Sequence, residues 1–168
     1  LISSSKLKCL TYEEPLVRND EGLCVYEKPK EGRIYVTTVD TSRGQGKDYS
    51  AFVIVDVTEM PYKVVAVYRN NTVSPMLYPT VVHSLCRQYN DAYCLIEIND
   101  IGGQVADILH SELEYQNIIT VLVKGRKGQI ASWGGFGGGA QMGIRTTTVT
   151  KRVGCSVLKS LVEEDKIF

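Results

Sequence analysis

The sequence predicts an α/β fold built on a mixed sheet. Three observations support this: three short runs rich in β-branched and aromatic residues between 33 and 69, a change to helical periodicity after residue 74, and strands that alternate with helices from there on. The predicted order of elements is β-β-β-α-β-α-β-α. A strand meander followed by alternating helices and strands indicates a mixed sheet with helices on both faces.

The first three strands are predicted at residues 33–40, 51–57 and 62–69, with the sequences RIYVTTVD, AFVIVDV and YKVVAVYR. Because polar turns separate these short runs, we expect consecutive antiparallel strands. Residues 1–32 are weakly patterned, and we interpret them as a linker or edge segment. A single domain is therefore placed at residues 33–168.

The first helix is predicted over residues 74–92, with Ser74 as its N-cap and Pro75 at the first helical position. A strand at 93–98, a helix at 102–115 and a strand at 117–123 follow. The Gly-rich stretch from Gly125 to Gly143 is expected to form a flexible loop. A final helix at 147–166 carries an apolar stripe on one side, formed by Val149, Val153, Val157, Leu158 and Leu161.

Composition limits the possible functions. A chain of 168 residues fits one domain that can bury a core without disulfide support. Its formal net charge is zero, so only local charge clusters can indicate a polyanionic partner. No apolar run approaches the length of a membrane span, and we expect a soluble, cytosolic protein without a membrane partner.

Any metal site in this sequence has to use oxygen ligands. The five cysteines are widely spaced and contain no C-x-x-C pair, and there are only two histidines. Neither a zinc site nor a disulfide framework is therefore indicated.

Two acidic residues lie near the ends of predicted strands. Asp40 closes the first strand, and Glu97 lies near the end of the fourth. The order of elements is the one found in ribonuclease H-like folds, in which these two strands are parallel neighbours, so we expect the two side chains to meet. Adjacent carboxylates repel, and Mg²⁺ or Mn²⁺ resolves the repulsion. A pair of such ions supports phosphodiester hydrolysis, because one activates a water molecule and the other stabilises the leaving oxygen.

Each acidic residue also has a structural interpretation. Asp40 alone fits a turn former equally well, because DTSRGQG is rich in turn residues. Glu97 is stronger evidence, since it interrupts an apolar strand where an unpaired carboxylate is costly. Asp48 is predicted to approach the same metal site across the hairpin. Asp100 is predicted to cap the helix that starts near Ile101.

Three segments carry a resemblance to a known family: YVTTVDTSRGQGKDYSAFVIVD, then CLIEIND followed by GGQVADIL, and then MGIRTTTVTKRVGCSVLKSLVEED. Together they resemble the nuclease domain of the large terminase subunit of T-even-like tailed phages, the motor-nuclease that packages DNA. The similarity runs from about Tyr35 to Asp165. It implies a ribonuclease H-like fold, an acidic triad that binds Mg²⁺ or Mn²⁺, and endonucleolytic cutting of concatemeric double-stranded DNA at the start and end of packaging.

The resemblance also assigns roles to residues. It places the family's first catalytic Asp on Asp40 and its second acid on Glu97, and it places the third acid beyond Phe168. The C-terminal part of the domain is therefore expected to be missing, and this fragment is expected to cut DNA poorly or not at all. Asp48 could partly substitute as a metal ligand.

Substrate and partner expectations follow. Basic residues around the Gly-rich stretch are the predicted DNA phosphate contacts, namely Lys124, Arg126, Lys127, Arg145, Lys151 and Arg152. Trp133 and Phe136 are expected either to stack on DNA or to cover the core. The resemblance implies an N-terminal packaging ATPase domain in the same chain, contacts with the portal and the small terminase subunit, and action at the procapsid portal in the host cytoplasm, with absence from the mature virion.

Three other functions fit parts of the sequence. An actin-like or sugar-kinase-like ATPase half shares the topology, but DTSRGQGKD lacks a glycine two positions after Asp40 and gives Glu97 no use. A Holliday-junction-resolvase-like nuclease would use the same acids, and the motifs do not separate it from a terminase. A non-catalytic module that docks on DNA or the portal would bind without any effect of divalent metal.

Overall fold

The computed structural model describes residues 2–9, 12–122, 130–132 and 140–168 of the chain. The strands are β1 (Val17–Arg18), β2 (Leu23–Val25), β3 (Tyr35–Asp40), β4 (Ser50–Asp56), β5 (Lys63–Asn70), β6 (Tyr93–Ile96), β7 (Thr120–Leu122), β8 (Ile130–Ser132) and β9 (Ala140–Met142). The helices are α1 (Ser4–Cys9), α2 (Tyr78–Gln88), α3 (Gly102–Asp107), which continues into a π-helical turn at Ile108–Glu112, and α4 (Thr148–Glu163).

The main sheet has six strands in the order β1-β2-β5-β4-β3-β6. Strands β3, β4 and β5 form the predicted antiparallel meander. Strand β6 joins β3 in parallel after the α2 crossover. The predicted mixed α/β sheet is confirmed, and β1 and β2 extend it at the edge beyond β5.

Side-chain alternation explains why one face of this sheet forms the core. Along β4, every second residue is buried, including Phe52 and Ile54, while the residues between them are half-buried. Helix α2 places Tyr78 and Val82 against this face, and both are fully buried. A strand pattern of period two packed against a helix pattern of period 3.6 is the arrangement that buries both apolar faces together.

Helix α2 begins later than the sequence predicted. Ser74 caps the turn that leads into it: its Oγ accepts a hydrogen bond from the backbone N–H of Met76 (3.2 Å), and its carbonyl oxygen accepts from the N–H groups of Leu77 (3.0 Å) and Tyr78 (2.9 Å). Residues 74–77 thus form a turn, and the regular helix starts at Tyr78. The Ser-Pro signal correctly locates the entry to the helix, but it does not show that a turn comes first.

The Gly-rich stretch contains more regular structure than expected. Two of its described segments, β8 and β9, pair antiparallel with the two sides of β7 and form a small three-stranded sheet. The prediction of a flexible loop was therefore wrong for these segments.

Helix α4 carries the predicted apolar stripe, but none of its residues is buried. Val149, Val153, Val157 and Leu158 are each at least half exposed. Amphipathic periodicity determines which side of a helix is apolar, whereas burial needs a matching surface, and the described part of the chain supplies none. No helix within this part is both long enough and apolar enough to cross a bilayer.

Candidate active site

The fold brings Asp40 and Glu97 together at the carboxyl ends of two parallel strands. Val39 of β3 pairs with Ile96 of β6, and the backbone N–H of Glu97 donates to the carbonyl of Val39 at 2.8 Å. Val39 and Ile96 are buried in the core. Since side chains alternate along a strand, Asp40 and Glu97 both project from the opposite face. The structure therefore places the two acids side by side, as the strand order predicted.

The surroundings of Asp40, which include the Glu97 carboxyl group, raise the pKa of Asp40 to about 6. Partial burial is the largest cause, followed by the hydrogen bond and the charge repulsion from Glu97. The site thus disfavours two negative charges when no cation is bound. This is the electrostatic condition that a divalent cation relieves.

The raised pKa predicts how pH affects the metal-free protein. Folding raises the pKa of Asp40 from 3.8 to about 6, so the folded state holds this proton more tightly than the unfolded state. Ionisation of Asp40 therefore destabilises the folded state. This loss of stability is absent below about pH 4, grows between about pH 4 and 6, and is complete above that range. Asp40→Asn should therefore stabilise the protein more near pH 7 than near pH 4.

Urea unfolding in the presence of a chelator measures this difference in the free energy of unfolding, and Asp107→Asn, at an exposed position, is the control. An equal effect of Asp40→Asn at both pH values would contradict the prediction.

Two close approaches hold the strand ends in place. The hydroxyl of the buried Tyr78 donates to the carbonyl of Asp40 at 3.1 Å. Gly102, at the start of α3, lies against the backbone after β6, and a Cβ atom at this position would be 1.9 Å from the carbonyl oxygen of Glu97. Only glycine allows this contact, so the first residue of α3 fixes the distance between the helix and Glu97.

Sequence reasoning missed two polar residues beside the acids. The side-chain amide nitrogen of Asn99 donates to Oε1 of Glu97 at 3.2 Å, and Thr41 directly follows Asp40. The Oδ1 atom of Asn99 and the Oγ1 atom of Thr41 are buried without a hydrogen-bond partner among the described residues. In sequence, both residues have the appearance of ordinary turn formers. Their one distinguishing signal is position, since each lies within two residues of a predicted ligand.

Asp48 and Asp40 line the same cleft. The cleft has a volume of about 430 Å³ and is lined by the loop after β3, including Arg43, Lys47 and Asp48. Within the described residues, no three His, Cys, Asp or Glu side chains come close enough together to hold one metal ion. Asp48 therefore shares the cleft but does not form a compact triad with Asp40 and Glu97.

The predicted helix cap at Asp100 was wrong. The N-cap of α3 is Ile101, and no side chain caps it. Asp100 instead accepts two hydrogen bonds from the Arg43 guanidinium, at 2.6 and 3.0 Å. Its positive φ of 50° turns the backbone so that this pair joins the loop after β3 to the turn after β6. These are the two segments that follow Asp40 and Glu97.

The predicted DNA contacts are only partly described. Lys124, Arg126 and Lys127, together with Trp133 and Phe136, lie outside the described residues. Arg145 is exposed and follows Ile144, which pairs with Glu97 as an extension of the sheet. Lys151 and Arg152 are exposed near the start of α4. Arg145 thus follows the residue that pairs with Glu97, and Lys151 and Arg152 lie in the first turns of the helix that comes next.

The chain is similar to the nuclease domains of large terminase subunits, both in sequence and in structure. A family model described as the terminase RNaseH-like domain matches residues 37–167. The magnesium-bound large terminase nuclease from thermophilic phage G20c is similar in structure, with a TM-score of 0.70, 18% sequence identity, and coverage of 97% of this chain and 70% of that one. The cobalt-bound form of that nuclease gives a TM-score of 0.69 at the same identity and coverage. The Thermus phage P74-26 large terminase nuclease domain gives a TM-score of 0.63 at 18% sequence identity, with coverage of 97% of this chain and 68% of that one.

Proposed function

Since the chain belongs to the terminase RNaseH-like domain family, as the sequence motifs predicted, we propose that it is a divalent-metal-dependent endonuclease. In this proposal it cuts concatemeric double-stranded DNA when genome packaging begins and ends. The observation that carries the proposal is the meeting of Asp40 and Glu97 at the ends of β3 and β6. The structural relatives support the ribonuclease H-like fold.

The residues present fit a hard divalent cation. Asp40 and Glu97 provide two adjacent carboxylates whose repulsion a cation relieves. Beside them, Asn99 and Thr41 provide two buried oxygens that have no hydrogen-bond partner among the residues that the structure describes. Asp40 and Glu97 would hold Mg²⁺ or Mn²⁺, with Asp48 as a more distant candidate. When bound, a pair of such ions supplies Lewis-acid activation of the attacking water and stabilisation of the leaving oxygen.

The chain's own residues perform the positioning. Strand pairing fixes the backbone of Glu97 against Val39, and Tyr78 fixes the carbonyl of Asp40. The ion pair between Arg43 and Asp100 holds together the loops that follow the two acids. Preorganised ligands need less rearrangement when substrate and cations arrive, and this preorganisation is the protein's main contribution to metal-assisted hydrolysis.

The family suggests further proposals about the whole protein. The nuclease domain would act at residues 33–168, with residues 1–32 as a linker or edge segment after a packaging ATPase domain. The portal and the small terminase subunit would be partners, at the procapsid portal in the host cytoplasm. Of these proposals, the double-stranded DNA substrate has the most direct chemical support, since paired carboxylates that suit a divalent cation and the exposed Arg145, Lys151 and Arg152 both suit a phosphodiester.

The proposed function can be tested with supercoiled plasmid DNA. We expect conversion to open-circular and linear forms that requires Mg²⁺ or Mn²⁺ and stops on addition of a chelator, in a longer chain that includes the expected third acid. A marked preference for four-way junctions over linear duplex would instead favour a resolvase-like nuclease. DNA binding with no cutting at any concentration of divalent metal would favour a docking module.

The exposed cations at the start of α4 give a separate prediction. Replacing Lys151 and Arg152 together by Ala should weaken duplex binding similarly for unrelated sequences. The slope of log affinity against log salt concentration should become shallower by about two units, because each lost phosphate contact removes about one unit. Binding should be measured against salt concentration, in Ca²⁺ to suppress cutting.

Lys159→Ala, about two turns farther along the helix, is the matched control. Equal affinity and parallel salt dependences for the double variant and wild type would show that this surface faces away from DNA. The same test applies to Arg126 and Lys127.

A further inference from the structure

Asn99 joins the Glu97 carboxylate to the segment that leads into α4. Its side-chain nitrogen donates one hydrogen bond to Oε1 of Glu97 at 3.2 Å and another to the backbone carbonyl of Thr146 at 2.9 Å. Thr146 directly precedes Thr147, which is the N-cap of α4. A single amide group thus contacts both a candidate metal ligand and the entry to a helix 47 residues farther along the chain.

The partners of Asn99 determine which end of its amide faces them. A backbone carbonyl and an ionised carboxylate accept hydrogen bonds and cannot donate them. The two hydrogens of the NH₂ group match these two acceptors, whereas the opposite orientation would place an oxygen against two oxygens. The contact therefore requires an amide donor at this position.

The other end of the amide is unusual. Oδ1 of Asn99 is buried and has no hydrogen-bond partner among the described residues, as is also true of Oγ1 of Thr41. Leaving a buried oxygen without a donor costs free energy, so such atoms in folded proteins call for an explanation. Two of them, next to the two acids, are placed where the water shell of a hydrated cation could donate to them.

Backbone pairing holds the same segment against β6. The N–H of Ile144 donates to the carbonyl of Ile96 at 2.7 Å, and the N–H of Ile98 donates to the carbonyl of Ile144 at 3.0 Å. These bonds fix the main chain on both sides of Glu97 but leave its side chain free to rotate. Asn99 donates a side-chain hydrogen bond to this carboxylate, and this bond, unlike the one shared with Asp40, needs no proton held between the two acids.

We propose that Asn99 is a positioning residue that orients the Glu97 carboxylate towards the divalent cation and makes this orientation depend on the docking of residues 144–147 against β6. The inference rests on the proposed function, because it concerns the same site. It assigns to Asn99 no contact with the scissile phosphate.

The first test measures metal binding without cleavage. In the 168-residue chain, Mn²⁺ should broaden the amide NMR signals of Asp40 and Glu97, and the midpoint concentration reports affinity. Asn99→Ala should raise that midpoint about tenfold, the loss typical for outer-shell partners of metal ligands. Asn99→Leu keeps nearly the original side-chain volume but removes the amide, and it should raise the midpoint by a similar factor. Asn117→Ala, which removes an amide hydrogen bond to the carbonyl of Asp91 far along the sheet edge, is the matched control and should leave the midpoint unchanged.

The second test uses the metal-free protein. Amide hydrogen exchange should become faster in Asn99→Ala at Ile144 and at Lys151, whose N–H donates to the carbonyl of Thr147 at 2.9 Å. The exchange rate should stay unchanged at Ile119, whose backbone N–H donates to the carbonyl of Cys94 at 2.8 Å. A general loss of stability would instead accelerate all three and would overturn the proposal.

The outcomes separate this inference from the proposed function. If wild type shows Mn²⁺ broadening at Asp40 and Glu97 and both Asn99 variants retain its midpoint, the role of Asn99 is overturned while the metal site stands. An equal increase in the midpoint for Asn99→Ala and Asn117→Ala also overturns it. If wild type shows no broadening at either acid at any Mn²⁺ concentration, the proposed metal site itself fails, and the inference fails with it.

Discussion

Asp40→Asn or Glu97→Gln should abolish Mg²⁺-dependent DNA cleavage in a longer chain that contains the expected third acid. Each substitution removes a ligand charge, so both cation binding and the stabilisation of the transition state are lost. That stabilisation is worth several kcal/mol, which corresponds to a rate reduction of about a thousandfold or more. The measurement is the rate of plasmid linearisation at saturating Mg²⁺.

The fold should survive these substitutions. In the metal-free protein the two carboxyl groups raise the free energy of the folded state, as the raised pKa of Asp40 shows, so an amide at either position should leave the stability unchanged or increase it. Asp107→Asn, at an exposed position on α3, is the matched control and should cleave at the wild-type rate. Full cleavage by Asp40→Asn or by Glu97→Gln would remove that residue from the mechanism.

The central sheet could be predicted from the sequence because burial and the order of elements leave few alternatives. Strand β4 alternates buried and half-buried residues, and its apolar positions, such as Phe52 and Ile54, determine which face packs on the core. The order of elements is that of ribonuclease H-like folds, in which the helical crossover returns the chain to pair in parallel with β3, as it does here. This pairing brings Glu97 beside Asp40, so the two acids could be predicted from strand order and family resemblance together.

The remaining features depend on information that a local pattern does not contain. The exposed stripe of α4 shows that a periodic apolar face does not specify the surface it will meet. The pairing of Asp100 with Arg43, in place of a helix cap, depends on a contact between two loops separated by 57 residues. The role of Asn99 could not be predicted for a related reason, since its partner Thr146 is brought near only by the docking of residues 144–147 against β6.

The 168-residue chain alone should cut DNA poorly or not at all, and it should bind divalent cations weakly. Asp40 and Glu97 leave most of the coordination sphere to water, and in the described part of the chain no third acidic, histidine or cysteine side chain completes a compact cluster. The comparison to make is plasmid nicking by residues 1–168 and by the longer chain at equal protein and metal concentrations, first in Mg²⁺ and then in Mn²⁺.

Robust cleavage by the 168-residue chain would contradict this expectation and would make Asp48 the first residue to examine. Asp48 lines the same cleft as Asp40, and its charge contributes to the raised pKa of Asp40, although less than burial and Glu97 do. A modest movement of the loop after β3 could therefore bring it to a shared cation. Asp48→Asn would then abolish the cleavage if Asp48 completes the site. Unchanged cleavage in that variant would assign the third ligand to another acid, with Asp100 the next candidate because it borders the same cleft and is held there by Arg43.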